Sequence, residues 1–317
     1  MGDPHMDKLI VRQMQKSDLK EADRIFRLAF GMFLGLPDPM AFAGDSDFVH
    51  TRYKTDPEAA LVADVDGMVV GSNFALNWGT VGIFGPLTVH PDLWDKGVAR
   101  SLLKETMAIF EKWHVTHAGL FTFAQSSKHV HLYQKFGFWP RFLTAIMSKP
   151  VDKKSVKLIR YSQLAPAEKE QAVKTCKALT DKIYAGLDLG IEIRSVDSQN
   201  LGDTVMIHDG DSLAGFAICH CGPGTEAGSG NCYVKFGAAA PDRGSAERFE
   251  RLLDACEAFA HSQSLPRIIA GVNTARQGAY RSMISHGFRT DMQGVVMERP
   301  DNPGYNRKDV YLIDDWR

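Results

Sequence analysis

Apolar residues recur at helical spacing early in the chain. Leu19, Ala22, Ile25, Phe26 and Ala29 share one face behind a cap at Ser17 or Asp18, which predicts a helix ending near Gly31. The Gly-, Pro- and Met-containing stretch 31–47 reads as mobile. Two runs of strand character, 59–64 and 68–76, flank Asp66-Gly67, a strong hairpin signal. The run 80–89 is apolar, punctuated by glycine, and stops at Pro91. Apolar positions between 98 and 113 then predict a helix of about four turns. A buried strand over 119–123 and a helix capped by Ser126 or Ser127 and ending at Gly137 follow. Strands interleaved with helices in this order make an α/β domain with a mixed sheet.

The second half repeats the first. Gly137-Phe138, Met147 and Pro150 reappear 150 positions later as Gly287-Phe288, Met297 and Pro300. Asp66-Gly67 is echoed by Asp209-Gly210, and Pro91-Asp92 by Pro241-Asp242. Two tandem copies of one domain are therefore expected, 6–152 and 153–317, with a charged linker around Asp152-Lys153-Lys154. Residues 1–5, in the opening Met-Gly-Asp-Pro-His-Met, read as an expression-vector remnant.

Composition narrows the partners. The 317 residues exceed what one core usually organises, and 44% hydrophobic with 24% charged residues is an ordinary globular balance. With 37 Lys and Arg against 38 Asp and Glu, no basic excess exists to neutralise phosphates, which disfavours nucleic acid. No apolar stretch approaches the roughly 20 residues of a membrane-spanning helix. Five cysteines, all in the second half and with no secretory signal, predict reduced thiols and a cytoplasmic setting.

The chemistry is expected where the strand ending at Val89 runs into Pro91-Asp92-Leu93-Trp94-Asp95-Lys96-Gly97-Val98-Ala99-Arg100 and directly into a helix. A Gly-containing loop at a helix N-terminus presents unpaired backbone N–H groups and the positive dipole end, which suit a pyrophosphate. Gly97 and Ala99 let phosphates approach, and Lys96 and Arg100 add charge. Taken alone, the same residues also fit a helix start packed closely on a strand. A second feature sits downstream, Leu132-Tyr133-Gln134-Lys135-Phe136-Gly137-Phe138, a tyrosine on a helix that ends at glycine before a strand.

Together these segments resemble the GCN5-related N-acetyltransferase (GNAT) superfamily, whose cofactor motif is Q/R-x-x-G-x-G/A after a strand and whose second motif ends in L-Y-x-x-x-G-F. The resemblance covers about 6–150 and implies two GNAT-like domains, each a mixed, mostly antiparallel sheet flanked by helices. It implies that Leu87 and Val89 offer main-chain groups to the pantetheine of acetyl-CoA. Residues Trp94, Asp95, Lys96, Gly97, Val98, Ala99 and Arg100 would hold the pyrophosphate, with Ser126 at the place of a frequent Asn. Tyr133 would protonate the departing thiolate in a direct transfer that needs no metal. Trp94 departs from the family's Gln or Arg, and His129 from a small residue.

The second copy reads as degenerate, with a shortened phosphate loop, Pro241 to Gly244, and Met283 in place of Tyr133. Tyr280 lies one helical turn earlier, and Asn273 and Arg276 are expected in capping and surface roles. Cys219-His220-Cys221 lacks a second pair at zinc-finger spacing and is set aside as a metal site. His114 and His117 read as solvent or capping residues. His90 is a weak candidate base, so the general base stays unidentified. The tail 301–317 is expected to pack as a strand or as a clasp across the domains. The resulting expectation is an acetyl-CoA-dependent N-acetyltransferase acting on a primary amine of a small molecule. Phe33, Leu34, Leu36, Met40 and Phe42 would form an apolar acceptor wall. The alternatives are a non-catalytic CoA or acyl-CoA binding or sensing protein and a purely structural one. The oligomeric state is open, a homodimer being one option.

Overall fold

The computed structural model describes residues 9–154 and 156–317; the proposed remnant 1–5 lies outside them. The first half runs β1 (Leu9–Gln13), α1 (Leu19–Phe33), α2 (Val49–Thr55), β2 (Ala60–Val65), β3 (Met68–Trp78), β4 (Val81–Phe84), β5 (Thr88–Val89), α3 (Val98–Lys112), β6 (His117–Thr122), α4 (Ser127–Gln134) and β7 (Trp139–Pro150). The second runs β8 (Ile159–Arg160), α5 (Pro166–Ile183), α6 (Gly190–Ser198), β9 (Gly202–Asp209), β10 (Ser212–Gly222), β11 (Gly228–Ala239), α7 (Ser245–Ser262), β12 (Arg267–Asn273), α8 (Gln277–Ser285), β13 (Arg289–Arg299) and β14 (Leu312–Ile313).

Local chemistry accounts for most of these elements. The predicted apolar face of α1 is buried, and the Asp66-Gly67 turn has both residues at positive φ, as a two-residue hairpin turn requires. Gly31 does not end α1, contrary to expectation. It is a packing glycine, because a Cβ there would collide with the backbone of Pro39, and the helix continues to Phe33. The run 80–89 is two strands rather than one, broken at Gly85, Pro86 and Leu87. None of the described helices is long and apolar enough to cross a membrane.

All strands join in one mixed, mostly antiparallel sheet whose central order is β4-β6-β13-β7-β12-β11. β13 lies between β6 and β7, and β7 between β13 and β12, so each half's last long strand completes the other half's sheet. The registers confirm the duplication. Leu143 faces Val295 and Ala145 faces Gln293, pairs that exchange under a shift of 150. The shift also carries Phe121↔Val296 onto Gly271↔Ile146, and Ile83↔Gly119 onto Tyr233↔Ile269. Helices α3 and α4 cover a core with Phe84, Leu120, Tyr133 and Phe138, while α7 and α8 cover its counterpart. A third core spans both halves through Trp78, Phe236, Tyr305 and Trp316.

The tail is both strand and clasp. β14 pairs with β11, and Asp314 beyond it accepts from the Tyr305 hydroxyl (2.6 Å), the Trp316 indole (3.0 Å) and Arg276 (2.6 Å). Arg276 is thus buried and not on the surface, because the tail folds back over it; Asn273 is buried too, donating to Thr144 (3.1 Å) and capping the turn before α8 by accepting from Ala275 N–H (3.0 Å), as its expected capping role requires. His117 is likewise fully buried, 3.1 Å from Glu298, rather than solvent-facing.

Candidate active site

The site begins where two strands part. β4 and β6 pair in parallel from Val81↔His117 to Ile83↔Gly119 and no further, although β6 continues to Thr122 against β13. After the break at Gly85, β5 follows β3 alone. A slot therefore opens between β5 and the end of β6. His90 N–H donates to Val70 O (2.8 Å) in the register that pairs Thr88 with Ser72, so by strand alternation Val89, and Leu87 two residues before it, turn their main-chain groups away from β3 and into the slot. One of these groups is already engaged: the Trp94 indole N–H donates to the Val89 carbonyl at 2.9 Å. Trp94 thus acts on the slot's edge through its side chain, where the family pattern has Gln or Arg.

Beyond β5 the chain turns through Asp95 and Gly97, both at positive φ, into α3. The first helical bond there runs from Ser101 N–H to Gly97 O (3.1 Å), leaving the N–H groups of Val98, Ala99 and Arg100 without intrahelical acceptors at the positive end of the dipole. Gly97 is required for its φ of 87° and not for space, since a Cβ there meets nothing within 4 Å. Lys96 and Arg100 lie exposed at the same end. From α4, Lys128 reaches across to Asp95 (2.6 Å) and lies 5.9 Å from the Trp94 ring centre, linking the loop to the tyrosine helix.

Tyr133 lies inside. Its ring is 5.8 Å from that of Phe84, and no hydrogen-bond partner for its hydroxyl is found among the described residues. Burial raises its pKa well above that of a free phenol, so the hydroxyl keeps its proton. Ser126 caps α4 by accepting from His129 N–H at 3.4 Å. Burial, helped by Lys128, lowers the His129 pKa, and its ring lies 5.1 Å from Phe33. Phe33 in turn packs on Phe123 just past β6 (5.1 Å), and Phe42 stacks on Phe30 (5.1 Å). Of the expected wall, Phe33 and Phe42 join this aromatic cluster, Leu36 is half-buried, and Leu34 and Met40 are exposed.

Arg52 was not legible as a site residue. Its buried guanidinium donates to the carbonyl of Gly85 (2.6 Å) at one lip of the slot and pairs with Glu226 of the second half at 2.9 Å. Glu226 also meets Lys235 (3.1 Å), which pairs with Glu192 (2.9 Å). Burial alone would raise the Glu226 pKa, but Arg52 and Lys235 hold its carboxyl far below the carboxylate range. His220 belongs to the same buried region; both ring nitrogens lack partners among the described residues, and burial pushes its pKa down to about 4. Partners 174 positions apart leave no local signal in the sequence.

Other clusters do not compete. Asp254, Glu257 and His286 bring ligand atoms within 4.8 Å of one another, but Lys154 (3.0 Å) and Lys149 (2.7 Å) already neutralise the two carboxylates. Cys221 and Cys232 are free thiols with sulfurs 3.9 Å apart. A polar crevice of about 250 Å³, lined by Lys54, Thr55 and Arg194 among others, shares no residue with the slot.

The second copy lacks the slot's equipment. β11 is unbroken and pairs with β12 one residue further, to Val234↔Ala270. Its phosphate loop is shortened, as the sequence suggested: α7 is capped at Gly244 where α3 waits until Gly97, and the residues taken from the loop wind into an extra first turn of α7. Arg248 N–H donates to Gly244 O (3.0 Å), and the position matching Gly97 is the helical Glu247. Met283, matching Tyr133, is buried in the core.

With the geometry in place, residues 24–138 match the acetyltransferase (GNAT) family. The first half carries a GNAT acetyltransferase domain. Acyl transfer is the general activity that this assignment supports. No curated protein matches. Among solved structures, a candidate acetyltransferase from Pyrococcus horikoshii is 14% identical with a TM-score of 0.70, over 99% of this chain and 97% of that one. A GCN5-related N-acetyltransferase from Sphaerobacter thermophilus is 13% identical with a TM-score of 0.58, over 92% and 96%. A glucosamine N-acetyltransferase region of a fungal multi-domain β-N-acetylglucosaminidase is 13% identical with a TM-score of 0.61, over 92% of this chain and 38% of that one. At these identities the structures show the fold alone, a GNAT-like mixed α/β fold.

Proposed function

We propose that the first half, read as 6–152, binds acetyl-CoA and transfers the acetyl group to a primary amine of a small molecule, while the second half, 153–317, is a degenerate copy. The observation that carries this reading is the slot itself. It is edged by Leu87 and Val89, leads at one end to the unpaired N–H groups of Val98, Ala99 and Arg100, and lies beside a phenol kept neutral by burial.

In this reading the pyrophosphate rests on the start of α3, with Lys96 and Arg100 adding charge. The pantetheine arm lies along β5 as a missing strand would. A neutral amine attacks the acetyl carbonyl, and main-chain N–H groups at the slot stabilise the oxyanion. As the intermediate collapses the C–S bond breaks, and Tyr133 gives its proton to the leaving thiolate. The amine's surplus proton leaves to water, since no side-chain base is assigned. The aromatic cluster of Phe33, Phe42 and Phe123 suits an amine with an apolar body.

A second reading, a CoA-binding protein without turnover, is favoured by Trp94, whose indole takes a carbonyl on the slot's edge. An acetylation assay over a broad panel of amines separates the two. Turnover of at least one amine supports the transferase, and tight acetyl-CoA binding with no turnover selects the binding protein.

A further inference from the structure

The shift of 150 that superposes the halves places Leu87, Thr88 and Val89 on Gly237, Ala238 and Ala239. In the first half this edge has no neighbouring strand among the described residues, since β5 pairs with β3 alone, and the Trp94 indole takes its Val89 carbonyl. In the second half it is covered. Gly237 pairs with Ile313, Ala238 with Leu312, and Ala239 N–H donates to Tyr311 O at 3.0 Å. A peptide strand from the tail lies where the first half leaves a slot.

The seat is shaped for it. A Cβ on Gly278 would press against the Tyr311 hydroxyl, one on Gly271 would collide with Asp315, and one on Gly119 would collide with the Trp316 ring. Asp315 accepts from the Tyr233 hydroxyl at 2.9 Å, and Trp316 adopts a left-handed backbone, φ 57°, that a bulky residue avoids unless its surroundings hold it there. These contacts deliver the last residues to the first half's slot. Gly119, under Trp316, ends the β4–β6 pairing and forms one lip. The carbonyl of Arg317 accepts from Arg52 at 2.5 Å, and Arg52 donates to Gly85 at the other lip.

We propose that the tail fills the second half's cofactor-like groove as a stand-in for the pantetheine arm, and that this anchorage positions Trp316 and Arg317 to set the lips of the first half's slot. The second half is then a clamp and not a second cofactor site. The effect on turnover rests on the first half's being the acetyl-CoA site; the filled groove does not.

Residue-resolved hydrogen exchange on the full chain tests the seating without any variant. The amides of Ala239 and Ile313, which face across the β11–β14 pairing, should exchange slowly before any ligand is added, and fast exchange there overturns the filled groove. Added acetyl-CoA should slow exchange at Leu87, Val89 and 98–100 and leave 237–239 unchanged. New protection at 237–239 with a second bound cofactor also overturns it. Protection at neither place removes the first half's assignment, while slow exchange at Ala239 and Ile313 still supports the filled groove.

The positioning role is tested by Trp316→Ala. We expect kcat/KM to fall at least tenfold while the acetyl-CoA Kd stays within twofold, with Trp316→Phe restoring most of the loss. Unchanged kcat/KM, or a loss explained wholly by weaker acetyl-CoA binding, overturns the positioning role.

Discussion

Glu247 stands in the second half where Gly97 stands in the first, and the two show what the position decides. At Gly97 the backbone is left-handed and the helix begins one residue later; at Glu247 the helix is already a turn old. Gly97→Glu should therefore abolish acetyl-CoA binding, through charge at the phosphates and about 1–2 kcal/mol of backbone strain. The fold should survive, because nothing lies within 4 Å of the new Cβ. Gly97→Asn, which tolerates the left-handed region, should retain binding. A thermal-shift series with acetyl-CoA checks both. At a hundred times its Kd the ligand adds about 2.7 kcal/mol to the wild type, and an equal gain in Gly97→Glu would place the cofactor elsewhere.

Tyr133→Phe should lower turnover about a hundredfold or more and leave acetyl-CoA affinity unchanged, since only the transferable proton is lost. Because burial raises the Tyr133 pKa, the alkaline fall in turnover due to this group lies above pH 10, not below it. Steady-state rates with a thioester-release readout measure both, and a wild-type rate in Tyr133→Phe would remove its assignment as acid.

Much of this was legible locally. The Asp66-Gly67 turn, the amphipathic face of α1 and the Gly97 helix start each depend on neighbours in sequence, and the repeat kept its spacing of 150 from Pro91 through Gly137 to Pro150. What depends on distant partners was not legible. Nothing around Arg52 points to Glu226, the exchange of β7 and β13 has no periodic signature, and the shortened loop Pro241-Asp242-Arg243-Gly244 gave no sign that its missing residues form an extra first turn of α7. Arg276 looked solvent-facing because Asp314, which neutralises it, arrives from the tail.

Arg52→Met should cost about 3–5 kcal/mol, because among the described residues it leaves the buried Glu226 with Lys235 as its only remaining ion-pair partner. Arg52→Met with Glu226→Gln should recover part of that loss. Urea unfolding of the two variants measures the difference. Equal stability of Arg52→Met and wild type would mean that the pair contributes nothing to holding the halves together.

His220 predicts an acid-sensitive fold. Its folded pKa is about 4 against 6.5 for the free group, with burial the largest cause, Glu226 and Glu192 raising it, and Lys235 and Arg52 lowering it further. The unfolded chain therefore binds the proton first, and this contribution to stability is complete above pH 6.5. It is lost as pH falls towards 4, about 3 kcal/mol in all. His220→Leu should flatten that part of the stability curve. An unchanged slope between pH 6.5 and 4.5 would show that the imidazole is not buried neutral.

In the proposed reading one half of a duplicated chain keeps a cofactor slot while the other has lost its own. Calorimetric titration of acetyl-CoA into the full chain tests it most directly, because stoichiometry and affinity come from one curve. One site per chain is the predicted result. Two sites would contradict the loss of the second groove, and no binding would contradict the slot itself.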